Sequence, residues 1–185
     1  MAERRAKLVE NYYKNKIKDF EILIDNVWDP HNVAAISRTA DGLGIEKINL
    51  YYTYNKFPNF EEVGKKSSSS ANKWIKFSKV EDLKSFVNEK KKEGFVFIGA
   101  DFSKNAKNLV DFKFPDKCIV VLGSESNGLS EEVKKLCDKL LFIPMVGMVE
   151  SYNVSVAAGI MLYELFRQKG KGLVIRNKED LVSRE

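Results

Sequence analysis

The chain has 185 residues, of which 44% are hydrophobic and 31% are charged. This length suits one domain that buries a core without disulfides or metals, and the composition excludes an intrinsically disordered chain. No run approaches the roughly 20 apolar residues of a membrane-spanning helix, and the charged start "MAERRAKLVE" lacks the apolar centre of a signal peptide. We therefore expect a cytoplasmic protein that does not enter a membrane.

The net charge of +5 is concentrated at the two ends of the chain. Residues 1–20 carry six basic and three acidic side chains, as do residues 165–185, so the middle is nearly neutral. Two basic flanks suit a polyanion such as nucleic acid. Charged termini also serve solubility alone, so charge by itself favours a nucleic-acid partner only weakly.

Short apolar runs alternate with helical patterns along the chain. Strands are predicted at 20–25, 47–52, 74–77, 95–100, 118–123 and 139–144, and helices near 31–43, 80–93, 130–137 and 152–169. This alternation predicts an α/β domain with a mostly parallel sheet and helices on both faces. We expect a domain at 20–170, flanked by basic extensions at 1–19 and 171–185 with short helices near 3–15 and 178–184.

The first polar stretch that could carry chemistry is "DPHNVAAISRTADGLG" at 29–44. Its apolar residues form one helical stripe, and Arg38 lies roughly 150° away from that stripe, so its side chain points away from the core. Such an arginine is either solvated or held at a phosphate or ribose. Asn32 either caps the helix or contacts a ligand. His31 lies in a turn with no serine or cysteine motif nearby, which makes it a poor catalytic candidate.

The second stretch is "CIVVLGSESNGLSEE" at 118–132, a buried strand followed by a loop with two glycines and a helix start at Ser130. The carboxyl end of a strand followed by such a loop is where α/β sheets bind ligands. Neither a GxGxxG fingerprint nor a GxxxxGK[ST] phosphate loop is present, so the common nucleotide folds are not supported. Glu125 in this loop is either solvated or bound to a polar ligand group.

The third stretch is "IPMVGMVESYNVSVAAGI" at 143–160, a second loop after a strand that leads into a helix. From Val154 to Phe166 this helix is apolar on every side, which predicts burial against two surfaces, the second being another copy of the chain. Ser151 and Asn153 either cap the helix or contribute to a site. Together, the second and third loops could enclose a flat ligand such as a nucleoside.

Few residues of the chain could hold a metal ion. Cys118 and Cys137 are the only cysteines and have apolar neighbours, and His31 is the only histidine. This set does not make a convincing zinc site, so the cysteines are interpreted as reduced packing residues and no metal is expected.

In this order, "PHNVAAISRTADGLG", "VLGSESNGLS" and "IPMVGMVESYNVSVAAGI" resemble the three motifs of the SpoU class of the SPOUT methyltransferase superfamily. The resemblance covers about residues 20–170. It implies a C-terminal trefoil knot, S-adenosylmethionine bound among the knot loops, no metal, and a homodimer packed through the last long helix. The basic flanks resemble those of the branch that methylates the ribose 2′-hydroxyl of guanosine 18 in the tRNA D-loop. Another tRNA or ribosomal RNA nucleotide, or a non-catalytic RNA-binding relative, are the alternatives.

The resemblance also assigns roles to individual residues. Arg38 matches the arginine regarded as catalytic and Asn32 its motif partner, and Glu125, Ser151 and Asn153 complete the catalytic set. The implied S-adenosylmethionine pocket consists of Ala100, Leu122, Gly123, Gly128, Ile143, Met145 and Tyr152, the last standing where relatives commonly have leucine. The implied RNA-binding residues are Arg4, Arg5, Lys65, Lys66, Arg167 and Arg176.

Overall fold

A computed structural model describes residues 16–58 and 74–170, together with 9–10 and 13–14. Within these residues the strands are β1 (Ile17–Asp25), β2 (Ile45–Tyr51), β3 (Lys76–Lys79), β4 (Val96–Ala100), β5 (Lys107–Asn108), β6 (Cys118–Leu122) and β7 (Lys139–Phe142). The α-helices are α1 (Pro30–Gly42), α2 (Leu83–Lys92), α3 (Glu131–Leu136) and α4 (Val154–Lys169), and a 3₁₀ turn covers Leu109–Asp111. The helix predicted at 3–15 falls mostly outside the described residues, and the helix predicted at 178–184 wholly outside.

The strands form one sheet with the order β3-β2-β1-β6-β4-β7-β5. Every pair in this sheet is parallel, as the alternation of strands and helices predicts. All strands therefore end at the same edge of the sheet, which we call the carboxyl edge, and begin at the opposite amino edge. This arrangement brings the loops that follow different strands close together.

Helices cover both faces of the sheet, because successive side chains of a strand point to opposite faces. Helices α1 and α4 pack over Ile22 and Val120, and their buried residues are Val33, Ile36 and Ala40 from α1 and Val154, Ala158, Met161, Leu162 and Leu165 from α4. Helices α2 and α3 cover the other face with Leu83, Val87 and Val133, against Leu23, Phe97 and Val121. Each fully buried aliphatic side chain stabilises the fold by about 1.5–3 kcal/mol. The predicted α/β class with helices on both faces is confirmed.

The last two strands of the described chain, β6 and β7, each lie between two strands that come earlier in the sequence. β6 lies between β1 and β4, and β7 lies between β4 and β5. The loops after β6 and β7 consequently lie on either side of the end of β4. This strand order is compatible with the trefoil knot that the resemblance implies, and the threading itself stays a prediction.

Candidate functional site

Four loops meet at the carboxyl edge, namely 26–29 after β1, 101–106 after β4, 123–130 after β6 and 143–153 after β7. Residues of the last three loops, with the ends of their strands and the start of α4, surround an open cavity of about 340 Å³. That volume lies within the range of about 300–1,000 Å³ typical of small-molecule sites. The loop after β1 contributes through hydrogen bonds to the wall of the cavity.

The loop after β6 is a closed turn that depends on two glycines. The main-chain N–H of Ser124 donates to the Gly128 carbonyl oxygen at 2.9 Å, and the N–H of Gly128 donates back to Ser124 at 3.0 Å. Gly128 has a φ of 64°, in the left-handed region that favours glycine. A Cβ on Gly123 would lie 2.1 Å from the Gly128 carbonyl carbon, so no larger residue fits there. The loop therefore presents main chain, instead of side chains, to this part of the cavity.

A buried carboxylate holds the far end of this loop. Asp25, at the end of β1, is fully buried and accepts a 2.6 Å hydrogen bond from the Ser130 main-chain N–H. The Asn26 side chain donates to the same carboxylate at 2.8 Å. Burial raises the pKa of Asp25 above its usual value, although these hydrogen bonds oppose the increase. Asp25 thus fixes the loop after β6 to the end of β1.

A chain of hydrogen bonds joins all three motif stretches beside the cavity. The Glu125 carboxylate accepts from the main-chain N–H of Trp28 at 2.9 Å and from the Asn32 side chain at 2.6 Å. The Asn153 side-chain amide donates to the side-chain oxygen (Oδ1) of Asn32 at 3.2 Å. Since both ends of the Asn32 amide have partners, its orientation is fixed. Asn32, Glu125 and Asn153, which the resemblance groups together, therefore form one polar network across three loops.

The helix caps decide between alternatives that the sequence left open for Asn32 and Asn153. Asp29 caps α1 by accepting from the His31 main-chain N–H at 2.8 Å, so Asn32 is not the cap. Asn153 caps α4 by accepting from the Ser155 main-chain N–H at 2.8 Å, and its amide still reaches Asn32. Asn153 is thus both a cap and a member of the network.

All seven residues of the implied S-adenosylmethionine pocket line the cavity: Ala100, Leu122, Gly123, Gly128, Ile143, Met145 and Tyr152. Glu125 and Ser151 of the implied catalytic set line it as well. Sequence reasoning missed further lining residues, among them Asp101, Phe102 and Phe142. The rings of Phe102 and Phe142 lie 5.6 Å apart. Their only signal in the sequence was a position at the carboxyl end of a strand, which marks ligand-binding loops in α/β sheets.

Asp101 is a carboxylate with a fixed orientation in the cavity wall. Lys134 lies 3.0 Å from it, and the Ser103 main-chain N–H donates to it at 3.1 Å. Burial opposes ionisation of Asp101, but the hydrogen bonds from Ser103 and Lys134 outweigh this effect and lower its pKa. The cavity therefore contains a carboxylate that stays charged near neutral pH.

Arg38 lies outside this cavity. It is exposed on α1, as its position on the helix predicts, and it is not among the residues that line the cavity. Within the described part of the chain, no carboxylate holds its guanidinium. The structure therefore leaves Arg38 available to a group from outside the chain.

The implied RNA-binding residues are only partly described. Arg167 is exposed on α4 and donates two hydrogen bonds to Glu164, at 2.8 and 2.7 Å. These bonds lower the pKa of Glu164 to about 2, so this carboxylate neutralises the arginine at physiological pH. Arg4, Arg5, Lys65, Lys66 and Arg176 lie outside the described residues.

A second, broader groove of about 750 Å³ lies between α4 and the 3₁₀ turn, lined in part by Val110, Ile160 and Tyr163. Val110 and Tyr163 are exposed, although both are large apolar residues. In the loop after β7, Val146 and Met148 are also wholly exposed. Exposed apolar residues in such number on a folded domain mark an interaction site.

Burial raises the pKa of the Cys118 and Cys137 thiols to about 12, so both stay protonated. Among the described residues, no group of three or more His, Cys, Asp and Glu side chains is arranged to hold a metal ion. None of the helices in the described ranges has the length and apolarity needed to span a membrane.

Comparison with known proteins gives a consistent result. The family model described as the SpoU rRNA Methylase family matches residues 19–163. A tRNA (guanosine(18)-2'-O)-methyltransferase from Aquifex aeolicus is 34% identical over 175 residues, which are 94% of this chain and 82% of that protein. The crystal structure of an A. aeolicus TrmH/SpoU tRNA modifying enzyme superposes with a TM-score of 0.79 at 30% identity, covering 97% of this chain and 92% of that one.

A structure with a bound cofactor is also similar. The SpoU methyltransferase AviRb from Streptomyces viridochromogenes, in complex with the cofactor AdoMet, superposes with a TM-score of 0.70 at 27% identity. The match covers 86% of this chain and 62% of that one.

Proposed function

Because the chain belongs to the SpoU rRNA Methylase family, we propose that it methylates the ribose 2′-hydroxyl of guanosine 18 in tRNA, with S-adenosylmethionine as methyl donor. The relative from A. aeolicus that carries this activity in its name matches nearly the whole chain. The observation that carries the proposal is the network of Glu125, Asn32 and Asn153, which joins all three motif stretches beside one cavity.

The cavity suits S-adenosylmethionine by shape and by chemistry. At Gly123 no Cβ fits, so main-chain groups of the loop after β6 are free to contact a ligand closely. Leu122, Ile143 and Phe102 supply apolar and aromatic surface for a purine ring. The Asp101 carboxylate supplies an acceptor for hydroxyl or ammonium groups. When bound, S-adenosylmethionine supplies the methyl group on its sulfonium; the residues of the cavity hold it in line with the 2′-oxygen.

The network of Glu125, Asn32 and Asn153 has a positioning role in this proposal. It fixes the loops that must hold donor and acceptor in line, and small displacements of such groups cost large factors in rate. Ser151 lines the cavity beside the network, and we assign it to contact with the substrate.

Arg38 acts on the RNA in this proposal. A guanidinium keeps its proton throughout the physiological range of pH, and a nearby phosphate holds that proton more firmly, so it makes a poor base. We assign it to a substrate phosphate and to the developing 2′-alkoxide, which it stabilises by its charge, so that the 2′-hydroxyl proton passes to water while the oxygen takes the methyl group and the sulfur leaves as a neutral thioether. Comparing Arg38→Lys with Arg38→Ala tests this role, because lysine restores much of a purely electrostatic effect.

The tRNA partner, the cytoplasmic location and the homodimer complete the proposal. The basic extensions at 1–19 and 171–185 contain Arg4, Arg5 and Arg176, and Lys65 and Lys66 lie in the lysine stretch at 64–74. These cations bind phosphates, so affinity for tRNA falls steeply with salt. Arg167 contributes less, because Glu164 neutralises it. Two chains pair through α4, where Tyr163 and Val156 are exposed; light scattering that finds a monomer would contradict this pairing.

The decisive experiment measures transfer of labelled methyl to an unmodified tRNA transcript and to the same transcript lacking the 2′-hydroxyl at nucleotide 18. Label on the first and none on the second supports the proposal. Equal labelling moves the target to another tRNA nucleotide. If neither transcript is labelled, ribosomal RNA fragments are the next substrates, since the family description names rRNA. Failure with both RNA classes leaves the non-catalytic RNA-binding alternative.

A further inference from the structure

Two exposed aromatic residues lie in loops that are hydrogen-bonded to the wall of the cavity, and they have no role in the proposed methyl transfer. Trp28 is 73% exposed in the loop after β1, and Tyr54 is 52% exposed in the loop after β2. Both are attached to the loop after β6. The Trp28 main-chain N–H donates to Glu125 at 2.9 Å, and the Tyr54 hydroxyl lies 3.4 Å from the Ser124 hydroxyl. We call these two residues the aromatic rim.

The aromatic rim is held in place by a buried residue, Asn26. Its side-chain oxygen accepts from the main-chain N–H groups of Thr53 and Tyr54, at 2.8 and 3.1 Å. Its main-chain oxygen accepts from the Asn55 side chain at 2.6 Å. Asn26 has a φ of 54°, which an asparagine tolerates when its side chain is bonded locally. The two loops that carry Trp28 and Tyr54 are thus fixed to each other.

Other aromatic side chains supply the packing within these loops. Tyr52 and Phe57 pack edge to face at 5.4 Å between ring centres. The Tyr52 hydroxyl donates to the Val27 carbonyl oxygen at 2.9 Å. Trp28 and Tyr54 take part in neither contact, and their aromatic surface is exposed.

Exposed cations lie next to the aromatic rim. Lys56 is exposed two residues after Tyr54 in the same loop, and Arg38 is exposed on α1, whose exposed stripe begins at the neutral position His31, three residues after Trp28. His31 and Arg38 are seven residues apart, or about 10 Å along the helix axis. The acidic neighbours are engaged: Glu125 accepts main-chain and amide hydrogen bonds, and Asp29 caps α1. Aromatic faces beside cations are the surface that binds single-stranded nucleic acid, through stacking on bases and contact with phosphates.

We propose that Trp28, with Tyr54 beside it, stacks on an unpaired nucleobase of the RNA substrate next to the methylated nucleotide. This inference rests on the proposed function, because a nucleotide whose 2′-oxygen reaches the methyl donor in the cavity brings its neighbour in an unstacked strand towards the rim. Arg38 meets the phosphate of the same strand further along α1. The rim therefore selects for an exposed loop of RNA over a continuous helix.

The test uses tryptophan fluorescence and matched variants. The chain has two tryptophans, so Trp74→Phe leaves Trp28 as the single emitter. Titration with the tRNA transcript, and separately with a single-stranded RNA decamer, is expected to quench this emission. Trp28→Ala is expected to weaken RNA binding about tenfold, within the range for loss of one stacked base, and Trp28→Phe to keep most of the affinity. Tyr54→Phe, which keeps the ring, serves as the control for Tyr54→Ala.

The outcomes separate this inference from the proposed function. Quenching and a weakened Trp28→Ala variant, without methylation at nucleotide 18, support the rim and refute the proposed substrate. If nucleotide 18 is methylated but the emission is not quenched, and Trp28→Ala binds RNA as tightly as the parent protein, the stacking role of the rim is refuted. The proposed function then stands. A change in oligomeric state of Trp28→Ala, seen by light scattering, assigns the residue to a protein interface and also refutes the rim.

Discussion

Polar groups at the two edges of the sheet have different kinds of partner. At the amino edge, charges meet opposite charges: Glu46 pairs with Lys16 and Lys76, and the buried Glu21 pairs with Lys90. At the carboxyl edge, the Glu125 carboxylate is held by main-chain N–H groups and by the Asn32 amide. The ion pair of Asp101 with Lys134 is an exception there. Ion pairs at the amino edge therefore join elements of the fold, whereas neutral donors at the carboxyl edge fix the orientation of the Glu125 carboxylate beside the cavity.

The largest expected effect at the carboxyl edge comes from Gly123→Ala. The added Cβ would meet the Gly128 main chain at 2.1 Å, so the closed loop after β6 must open. We expect kcat/KM for methyl transfer to fall by about 100-fold or more, since displacement of positioning groups by 1 Å has such effects. Gly42→Ala is the matched control, because a Cβ there meets nothing within 4 Å. Activity of Gly123→Ala within threefold of the parent would contradict the role of the closed loop.

At the amino edge, the largest effect is expected from Lys90→Met. The side chains of Lys90 and Glu21 are 8% and 6% exposed, so this change leaves a buried carboxylate without its nearest cation. We expect the free energy of unfolding in urea to fall by about 3 kcal/mol, with kcat/KM unchanged where the protein is folded. Lys91→Met, which breaks a half-exposed pair with Asp138, should cost less than about 1 kcal/mol. Equal losses in the two variants would remove the distinction between buried and exposed pairs.

A smaller effect at the carboxyl edge is expected from Asn153→Ser. Serine keeps the cap of α4 but loses the amide that donates to Asn32. We expect kcat/KM to fall about tenfold, the equivalent of one hydrogen bond to the network, while stability changes little. Asp82→Ser exchanges the cap of α2 without touching the network, and its kcat/KM should match the parent. If both variants lose activity equally, the cap and not the network explains the loss.

The smallest effect belongs to the amino edge and depends on pH. The hydrogen bond from Lys16 lowers the pKa of Glu46 below its usual value, so the folded state holds the proton less firmly than the unfolded state. The resulting stability is present above the unfolded pKa of 4.5 and disappears as the pH falls through the lower folded value. Glu46→Gln should therefore cost less than about 1 kcal/mol at pH 7 and a smaller amount near pH 3. Urea unfolding at both pH values measures this, and an equal cost at both would contradict the charge-based explanation.

Most of the fold was accessible from the sequence because hydrophobic period and length distinguish strands from helices. The boundaries of the elements were harder to predict. Strand β1 begins at Ile17 and not at 20, because Ile17 pairs with Ile45 through main-chain bonds that leave no hydrophobic signal in the sequence. Helix α2 begins at Leu83, not at 80, because Asp82 caps it. Strand β5 has two residues, too few for a pattern.

The candidate site was predictable where it consists of motifs and not elsewhere. The resemblance grouped Asn32, Glu125 and Asn153, but hydrogen bonds across 93 and 121 residues of sequence depend on the strand order, which periodicity does not reveal. Single aromatic residues in loops, such as Trp28 and Phe102, carry no periodic signal at all. The resemblance also gave no indication that Arg38 lies outside the cavity of its own chain.

The position of β6 has a consequence for the synthesis of the chain on the ribosome. In the described sheet, both strands that pair with β4 follow it in the chain, and β6 is the strand that joins β4 to β1. Until Cys118–Leu122 has emerged, the nascent protein contains one unit of β1, β2 and β3 and a separate β4. Each unit has an unpaired strand edge, which is a template for aggregation. A messenger truncated before β6 would therefore yield one chain with two separate exposed strand edges that requires chaperones, and not a smaller version of the domain.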